Sequence, residues 1–287
     1  VTERDKRPGE EGYALLSAIW ALAILMIIVT GLIARSASGV RAAHDLLRRS
    51  QARAYGQAIL LQSIVDLQSV AQWRRPRVDG FASIISVLGA SQKITIQLEY
   101  GRIDLNEASV STLASLFASV GVTAARAEAL AAVVDRRRRG LDFVRSPSAA
   151  PPIQQPFQMV SELLNVKFMT RSLFNAVEPA LTVYNGRDQV MREAAPYPVL
   201  RALPGVSAAE AQLEIRERES DMPDRNSGSA LVKGRVRVGS DIRGWPFLIE
   251  AQFAFENHHY QIQAVEQPTG TDNPPALTSA YRFQQIQ

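Results

Sequence analysis

The chain has 287 residues, 46% of them hydrophobic, with 32 lysines and arginines against 28 acidic residues and a formal net charge of +4. That length leaves room for two compact units beside an apolar segment. It contains no cysteine, which excludes disulfides, thiolate metal sites and cysteine nucleophiles, although an oxidising compartment permits disulfides without requiring them. The mildly basic balance reads as solvated surface, since a nucleic-acid footprint would need the cations clustered on one face.

Residues 1–12, VTERDKRPGEEG, are short, charged and end in glycine. The next 22 residues, Tyr13 to Ala34, carry no formal charge. As an α-helix they span roughly 33 Å, enough for a bilayer core of ~30 Å, and lipid leaves the backbone little alternative to a helix. Three readings compete. A cleaved secretory signal would use Ser36-Ala37-Ser38 as its cleavage site, but its apolar core is ordinarily only about 7–15 residues. A plain single-span anchor is the second. The preferred third is a prepilin-type leader, cut between Gly12 and Tyr13 so that the helix stays on the mature protein. Charge does not set the orientation: Arg4, Lys6 and Arg7 precede the span, while Arg35, Arg41, Arg48 and Arg49 follow it.

No proline occurs between Pro8 and Pro76, so the helix is expected to continue well past the span. Val40, Ala43, Leu47, Ala54, Ala58, Leu61 and Val65 form an apolar stripe expected to pack on a sheet. A helix from Tyr13 to Trp73 would be roughly 90 Å long, with Gly31, Gly39 and Gly56 as candidate bends. Arg74-Arg75-Pro76 should end it. A short helix or irregular structure is expected around Phe81–Leu88. Lys93–Tyr100 alternates as a half-buried strand, and a bulge or turn at Gly101-Arg102 switches the parity for Ile103 and Leu105.

From Asn106 to about Ala180 the pattern is helical: Ala108, Leu113, Leu116 and Phe117 make one set and Ala124–Val134 another, closed by Arg136–Arg139 and Gly140. Residues 145–157 are a proline-rich loop, Met159–Leu164 a helix, and Phe168–Val177 irregular or helical. Leu181–Tyr184 reads as a short strand stopped by Asn185-Gly186. Val199–Arg218 is helical about Pro204-Gly205, and Glu219–Ser229 a loop. Strands are expected at Leu231–Val238, Pro246–Phe255 and His259–Val265, the last two joined at Glu256-Asn257-His258. Residues 266–276 read as a polar loop and Leu277–Phe283 as an edge strand.

Two segments repeat a pattern. Gly121-Val122-Thr123-Ala124-Ala125 matches Gly205-Val206-Ser207-Ala208-Ala209, and in each a short apolar helix ends at Gly-Val before Thr123 or Ser207 caps a second helix rich in arginine. Such helical hairpins can bind DNA phosphates at the turn. Here the turns offer only Arg126 and Arg201, and Glu210 stands beside the second. A compact structural hairpin is the preferred reading.

Catalytic patterns are missing: no G-x-S-x-G, Walker or H-E-x-x-H sequence occurs. His44 is expected on a solvated helix face, and His258-His259 lacks metal-ligand spacing. Glu217, Glu219, Asp221 and Asp224 offer oxygens to calcium, but their spacing matches no EF-hand, so a solvated loop is preferred and no cofactor is expected.

Gly12 followed by YALLSAIWALAIL resembles the N-terminus of the minor pseudopilins of type II secretion systems. The fifth mature residue would be Ser17, where most pilins and pseudopilins carry a glutamate thought to pair with a neighbouring subunit's amino terminus. The K-type members usually lack it, which suits the tip position. Gly101-Arg102-Ile103-Asp104-Leu105-Asn106-Glu107-Ala108 is similar to the K-type signature G-x-I-x-L-N-x-A, and Phe157–Leu163 resembles its later F-x-s-x-x-E-L segment. Leu181–Gly186 with Leu200–Arg216 resembles the second half, although Asp188–Ala194 lacks the asparagine usual there. The resemblance spans roughly residues 12–265.

It implies an α+β fold: a long pilin-like N-terminal transmembrane helix packed on an antiparallel sheet, with a large all-α, helix-hairpin (SAM-like) insert. The implied divisions are a leader (1–12), the transmembrane half-helix (13–34), a periplasmic helix with the first strands (35–105), the insert (106–218) and a C-terminal β part (219–287). It also implies prepilin peptidase processing at Gly12 and Tyr13 with N-methylation, inner-membrane anchoring with a periplasmic domain, and assembly with the I- and J-type minor pseudopilins. Subunit contacts are expected at Tyr13, Leu15, Leu16, Ser17 and Trp20, with Gly101, Leu105, Asn106 and Ala108 as signature residues. The implied role is structural: helping initiate the pseudopilus and the export of folded proteins, the bulky insert blocking addition above it. The alternative is a membrane-anchored helix-hairpin-helix DNA-binding protein of a competence or type IV pilus system.

Overall fold

The computed structural model describes residues 10–69, 75–141, 155–220, 242–269 and 276–286, without the side chains of 10–14, 33–38 and 40. The expected strand Leu231–Val238, most of the loops at 145–157 and 219–229, and Trp73 lie outside the described residues. The chain separates into two units, residues 1–55 and 56–287.

The described residues of the first unit are helical. Helix α1 (Glu10–Gln68) begins in it and runs on into the second unit, helical throughout, Gly31, Gly39 and Gly56 included. Within it Leu15–Leu32 has a mean hydropathy of 2.5 and no buried side chain, so it is long and apolar enough to cross a membrane. Helicity stops at Gln68, eight residues before Pro76, so proline does not end it.

In the second unit α1 is followed in chain order by β1 (Asp79–Val87), β2 (Ala90–Leu98), a 3-10 turn (Glu99–Gly101) and β3 (Ile103–Asp104). Then come α2 (Val110–Ser119), α3 (Ala124–Arg138), a 3-10 turn (Val160–Asn165), α4 (Arg171–Val177) and a further 3-10 turn (Glu178–Ala180). After these are β4 (Leu181–Thr182), α5 (Tyr197–Ala202), α6 (Ala208–Ser220), β5 (Phe247–Phe255), β6 (His258–Pro268) and β7 (Ala276–Ile286). Five strands form an antiparallel sheet in the order β1-β2-β5-β6-β7, while β3 and β4 pair in parallel as a separate two-stranded ribbon.

Residues 81–88 are thus a strand and its turn, not a helix. Leu88 (φ 50°) and Gly89 (φ 82°) both take left-handed conformations in a two-residue loop that fits the twist of β1 and β2. The alternation in β2 holds: Ile94, Ile96 and Leu98 are buried. They share the inner face with Ile249, Ala251 and Phe253, and Tyr260 stacks between Phe253 (5.8 Å) and Phe283 (5.4 Å).

The face of α1 buried in this unit is Gly56, Ile59, Leu60, Ser63, Ile64 and Leu67. It differs from the expected stripe, whose Leu61 and Val65 are 53% and 55% exposed against 1% for Ile64. Both faces are apolar, and the larger side chains at 59, 60, 64 and 67 take the core. Gly56 serves close packing: a Cβ there would lie 2.9 Å from Ile262 Cδ1 and 3.2 Å from the Phe253 ring.

The helical insert has its own core, in which Leu113, Leu116, Phe117, Leu130, Val134 and Phe174 are prominent. Ser109 caps α2, its Oγ accepting from Thr112 N (3.1 Å), and Thr170 caps α4 in the same way. At the far end of α3, Gly140 (φ 67°) lets Leu141 N reach back to Arg136 O (2.9 Å). The segment expected as a helix at Met159–Leu164 is the tighter 3-10 form, with Met159 outside it.

Candidate functional site

The signature stretch is the junction at which the chain leaves the sheet for the insert. Gly101 has an ordinary negative φ; its requirement is space, because a Cβ would overlap the carbonyl of Ala194. The parity switch expected there is achieved by the 3-10 turn Glu99–Gly101, after which Ile103, Leu105 and Ala108 all enter the insert's core. Asn106 acts as a short piece of strand: its Oδ1 accepts from Phe157 N (2.7 Å) and its Nδ2 donates to Phe157 O (3.0 Å). The second motif supplies its partner. Phe157 is buried with Arg137 over its ring at 5.5 Å, Glu162 accepts from Met159 N (3.1 Å), and Leu163 is buried.

Several junction residues have tasks that sequence reasoning did not assign to them. Asp104, itself buried, accepts from Asn106 N and from Gly186 N, both at 2.8 Å, so one carboxylate closes a local turn and holds a loop 82 residues away. Arg138 donates to Leu105 O (3.1 Å) and Asn106 O (3.0 Å) while paired with Asp135 (2.7 Å). Asn185 Nδ2 donates to Arg102 O (2.8 Å). Asp188 accepts from Ser109 N (2.9 Å). An Asp two residues before an Asn is a local turn signal that was available; the long-range partners carry no local signal.

Charge at the junction centres on Arg102. It pairs with buried Glu99 (3.1 Å) and donates to Glu178 O and Pro179 O, both at 3.0 Å. Burial, with Glu99 adding, raises the Tyr184 phenol above its ordinary value. Burial also raises the Glu250 carboxyl. Glu266, bonded to Thr278, is raised by burial as well.

The two helical hairpins differ at their turns. Gly121 (φ 94°) and Gly205 (φ 76°) both need the left-handed conformation. Thr123 sits at the N-cap of α3 but makes no side-chain cap bond, contrary to expectation. Ser207 does cap α6: Glu210 N donates to its Oγ (3.2 Å) and Ser207 N donates to Glu210 Oε2 (2.8 Å). Those bonds hold the Glu210 carboxyl below its ordinary value. A carboxylate therefore occupies the helix end at which a phosphate would bind. Three of the four arginines closing α3 are engaged too: Arg137 with Glu162, and Arg138 and Arg139 with Asp135.

Of the N-terminal residues singled out, Gly12 and Tyr13 fall within α1, the Tyr13 side chain outside the description. Leu15, Leu16, Ser17 and Trp20 are exposed on it. His44 is exposed, and His258 Nδ1 lies 3.0 Å from Gln285 Nε2. Glu217 and Glu219 are exposed at the end of α6, while Asp221 and Asp224 lie outside the described residues. Among the described residues no group of three or more His, Asp or Glu side chains is placed to hold a metal ion.

No family model matches the chain, and no curated protein matches it. The chain is structurally similar to a chain of the GspK-GspI-GspJ complex from the type 2 secretion system of enterotoxigenic Escherichia coli. The TM-score is 0.49 at 13% identity, over 86% of this chain and 99% of that one.

Proposed function

We propose that the chain is a K-type minor pseudopilin of a type II secretion system, anchored by Leu15–Leu32 in the inner membrane with its sheet and insert in the periplasm. The observation that carries this reading is the junction at Gly101–Ala108. The residues resembling the K-type signature form the joint by which a helical domain is inserted into an antiparallel sheet, each with a packing or bonding task. The uncharged span behind Gly12 supports it independently. On this reading the protein works by assembly, not catalysis. It is processed at Gly12-Tyr13, joins I- and J-type minor pseudopilins through residues such as Leu15, Leu16, Ser17 and Trp20, and starts the pseudopilus at its tip. The DNA-binding alternative is disfavoured by Glu210 at the α6 turn.

The test is the N-terminal mass of the membrane-extracted protein, made with and without a prepilin peptidase. A mature chain beginning at N-methylated Tyr13 only when the peptidase is present is expected. An uncut N-terminus in the peptidase-positive cell, or a cut after Ala37 or Ser38, would overturn the reading.

A further inference from the structure

Among the described residues four carboxyl groups are buried, and three have a cation or backbone N–H groups as partners. Asp79 pairs with Arg77 (2.6 Å), Glu99 with Arg102 (3.1 Å), and Asp104 accepts from Asn106 N and Gly186 N (both 2.8 Å). Glu266, 6% exposed, has neither kind of partner. Both of its oxygens lie against one hydroxyl, Thr278 Oγ1, at 2.9 and 3.0 Å, and its carboxyl has no other hydrogen-bond or ionic partner among the described residues. A hydroxyl carries one hydrogen, and an ionised carboxylate has none to give, so the ionised form leaves one of these two contacts without a proton. The neutral acid completes both: its O–H donates to Oγ1 while the hydroxyl donates to the other oxygen. The pair stands at a weak point of the sheet. Strand β7 is an edge strand, paired only to β6. Val265 pairs with Ala280 and Glu266 with Thr278, so Ser279 is left out of register at a bulge. Beyond that bulge β7 keeps only the pairs at 276, 277 and 278, and Ala276 stands opposite Pro268, which has no N–H to donate.

We propose that Glu266 is a pH-sensitive clasp: as the neutral acid it pins the start of β7 to β6 through Thr278, and on ionisation it lets that start go. Ionising a buried carboxyl without a cation costs its hydration, and the strand end is the cheapest thing to move so that water can reach it. The surroundings bring no compensating charge. Its ladder neighbours are Phe247 on β5 and Thr278 on β7. The nearest charged side chains along those strands, Glu250 and Arg282, stand opposite Gln263, three residues or about 10 Å away. On α1, between Gly56 and Gln68, the charged residue is Asp66, which accepts from Gln62 (2.9 Å). At the end of β2, Glu99 and Arg102 are paired with each other, and Arg243 before β5 is exposed. Asp241 and Asp272 lie outside the described residues. The titration agrees in direction: burial raises the Glu266 carboxyl, and the Thr278 bond opposes the rise. A carboxyl raised in the closed form favours that form fully below its ordinary value, and the preference is lost as pH climbs through the raised one. The clasp therefore closes on acidification and opens above the ordinary carboxylate range.

The clasp does not depend on the secretion reading, and its test is separate from the peptidase test. Stability of the whole chain would not isolate it, because the Glu250 carboxyl is also raised and contributes with the same sign. The readout is hydrogen exchange of the full chain in detergent from about pH 4 to about pH 8, corrected for the intrinsic rate. It compares residues 276–281, at the clasp, with residues 282–286, at the other end of the same strand. Protection of 276–281 is expected to fall by at least roughly threefold as pH rises, while that of 282–286 changes less. Glu266→Gln, which keeps an acceptor and a donor for Thr278 without a charge, should hold the protection high and flat. Glu250→Gln should leave the pH dependence in place. Protection of 276–281 independent of pH in the unmodified chain, a dependence untouched by Glu266→Gln, or one abolished by Glu250→Gln would overturn the proposal. If Glu266→Gln does not fold, Thr278→Lys decides, because Thr278 is exposed and a cation there favours the ionised acid. A flattened or reversed pH dependence in that variant supports the clasp, and an unchanged fall refutes it.

Discussion

The junction turns on single atoms. Asn106 supplies one acceptor and one donor to the backbone of Phe157, 51 residues away, and no side chain of different shape offers both in one plane. Asn106→Ala leaves both peptide groups of Phe157 without these partners. At about 1–3 kcal/mol for each unsatisfied buried group, a loss of roughly 2–4 kcal/mol is expected. Gly101→Ala asks Ala194 to move and should cost about 1–3 kcal/mol as overpacking. Urea unfolding of the full chain measures both, and values under about 0.5 kcal/mol would place the joint elsewhere. The stretch Gly101–Ala108 stood out in the sequence, but these tasks did not. Gly101 read as a bulge because a close approach by Ala194 leaves no trace near it in the chain. Arg138 read as a helix-end cation, and only the fold brings the carbonyls of Leu105 and Asn106 to it.

At the scale of elements, legibility followed the strength of the local pattern. β2 was plain because Ile94, Ile96 and Leu98 alternate with polar residues, and the end of α3 was plain because Gly140 follows four arginines. β1 was hidden: Gly80 and the doublet Ile84-Ile85 break the alternation, and Leu88 stands in a left-handed turn position more usual for asparagine. The packing face of α1 was misassigned because hydrophobicity alone does not choose between two apolar faces. The choice is made by the partner surface, where Gly56 admits Phe253 and Ile262 at close range. A pair of variants checks the reassignment. Ile64→Asp places a carboxylate in the sheet's core and should cost on the order of 4 kcal/mol or more, or abolish folding. Leu61→Asp, one turn-position away on the exposed face, should change thermal stability by under about 0.5 kcal/mol. Equal losses would return the packing face to the Leu61–Val65 stripe.

Within the second unit the sheet tolerates so large an insert because β2 and β5 are neighbours. Leu98, the last residue of β2, pairs with Phe247, the first of β5, so the chain leaves and returns between adjacent strand ends. Among the described residues the bonds across the joint include Gln97 Nε2 to Ala194 O (2.7 Å), Arg77 Nη2 to Arg218 O (2.6 Å), Met191 N to Tyr100 O (2.7 Å) and those of Arg102. The insert meanwhile closes a hydrophobic core of its own, from Ile103 to Ala211, around Phe117 and Leu163. Elements that share a core open together, and elements joined mainly by polar bonds open separately. The insert is therefore expected to behave as a cooperative unit within the molecule. Phe117→Ala removes the centre of that core at a cost of about 3–5 kcal/mol. The loss should appear in hydrogen exchange as faster opening of α2, α3 and α5, with β5 and β6 keeping the protection of the unmodified chain. Uniform loss of protection across sheet and insert would mean that the two cores fold as one. Selective loss would identify the insert as a body that the joint at Arg102 positions, free to open while the sheet persists.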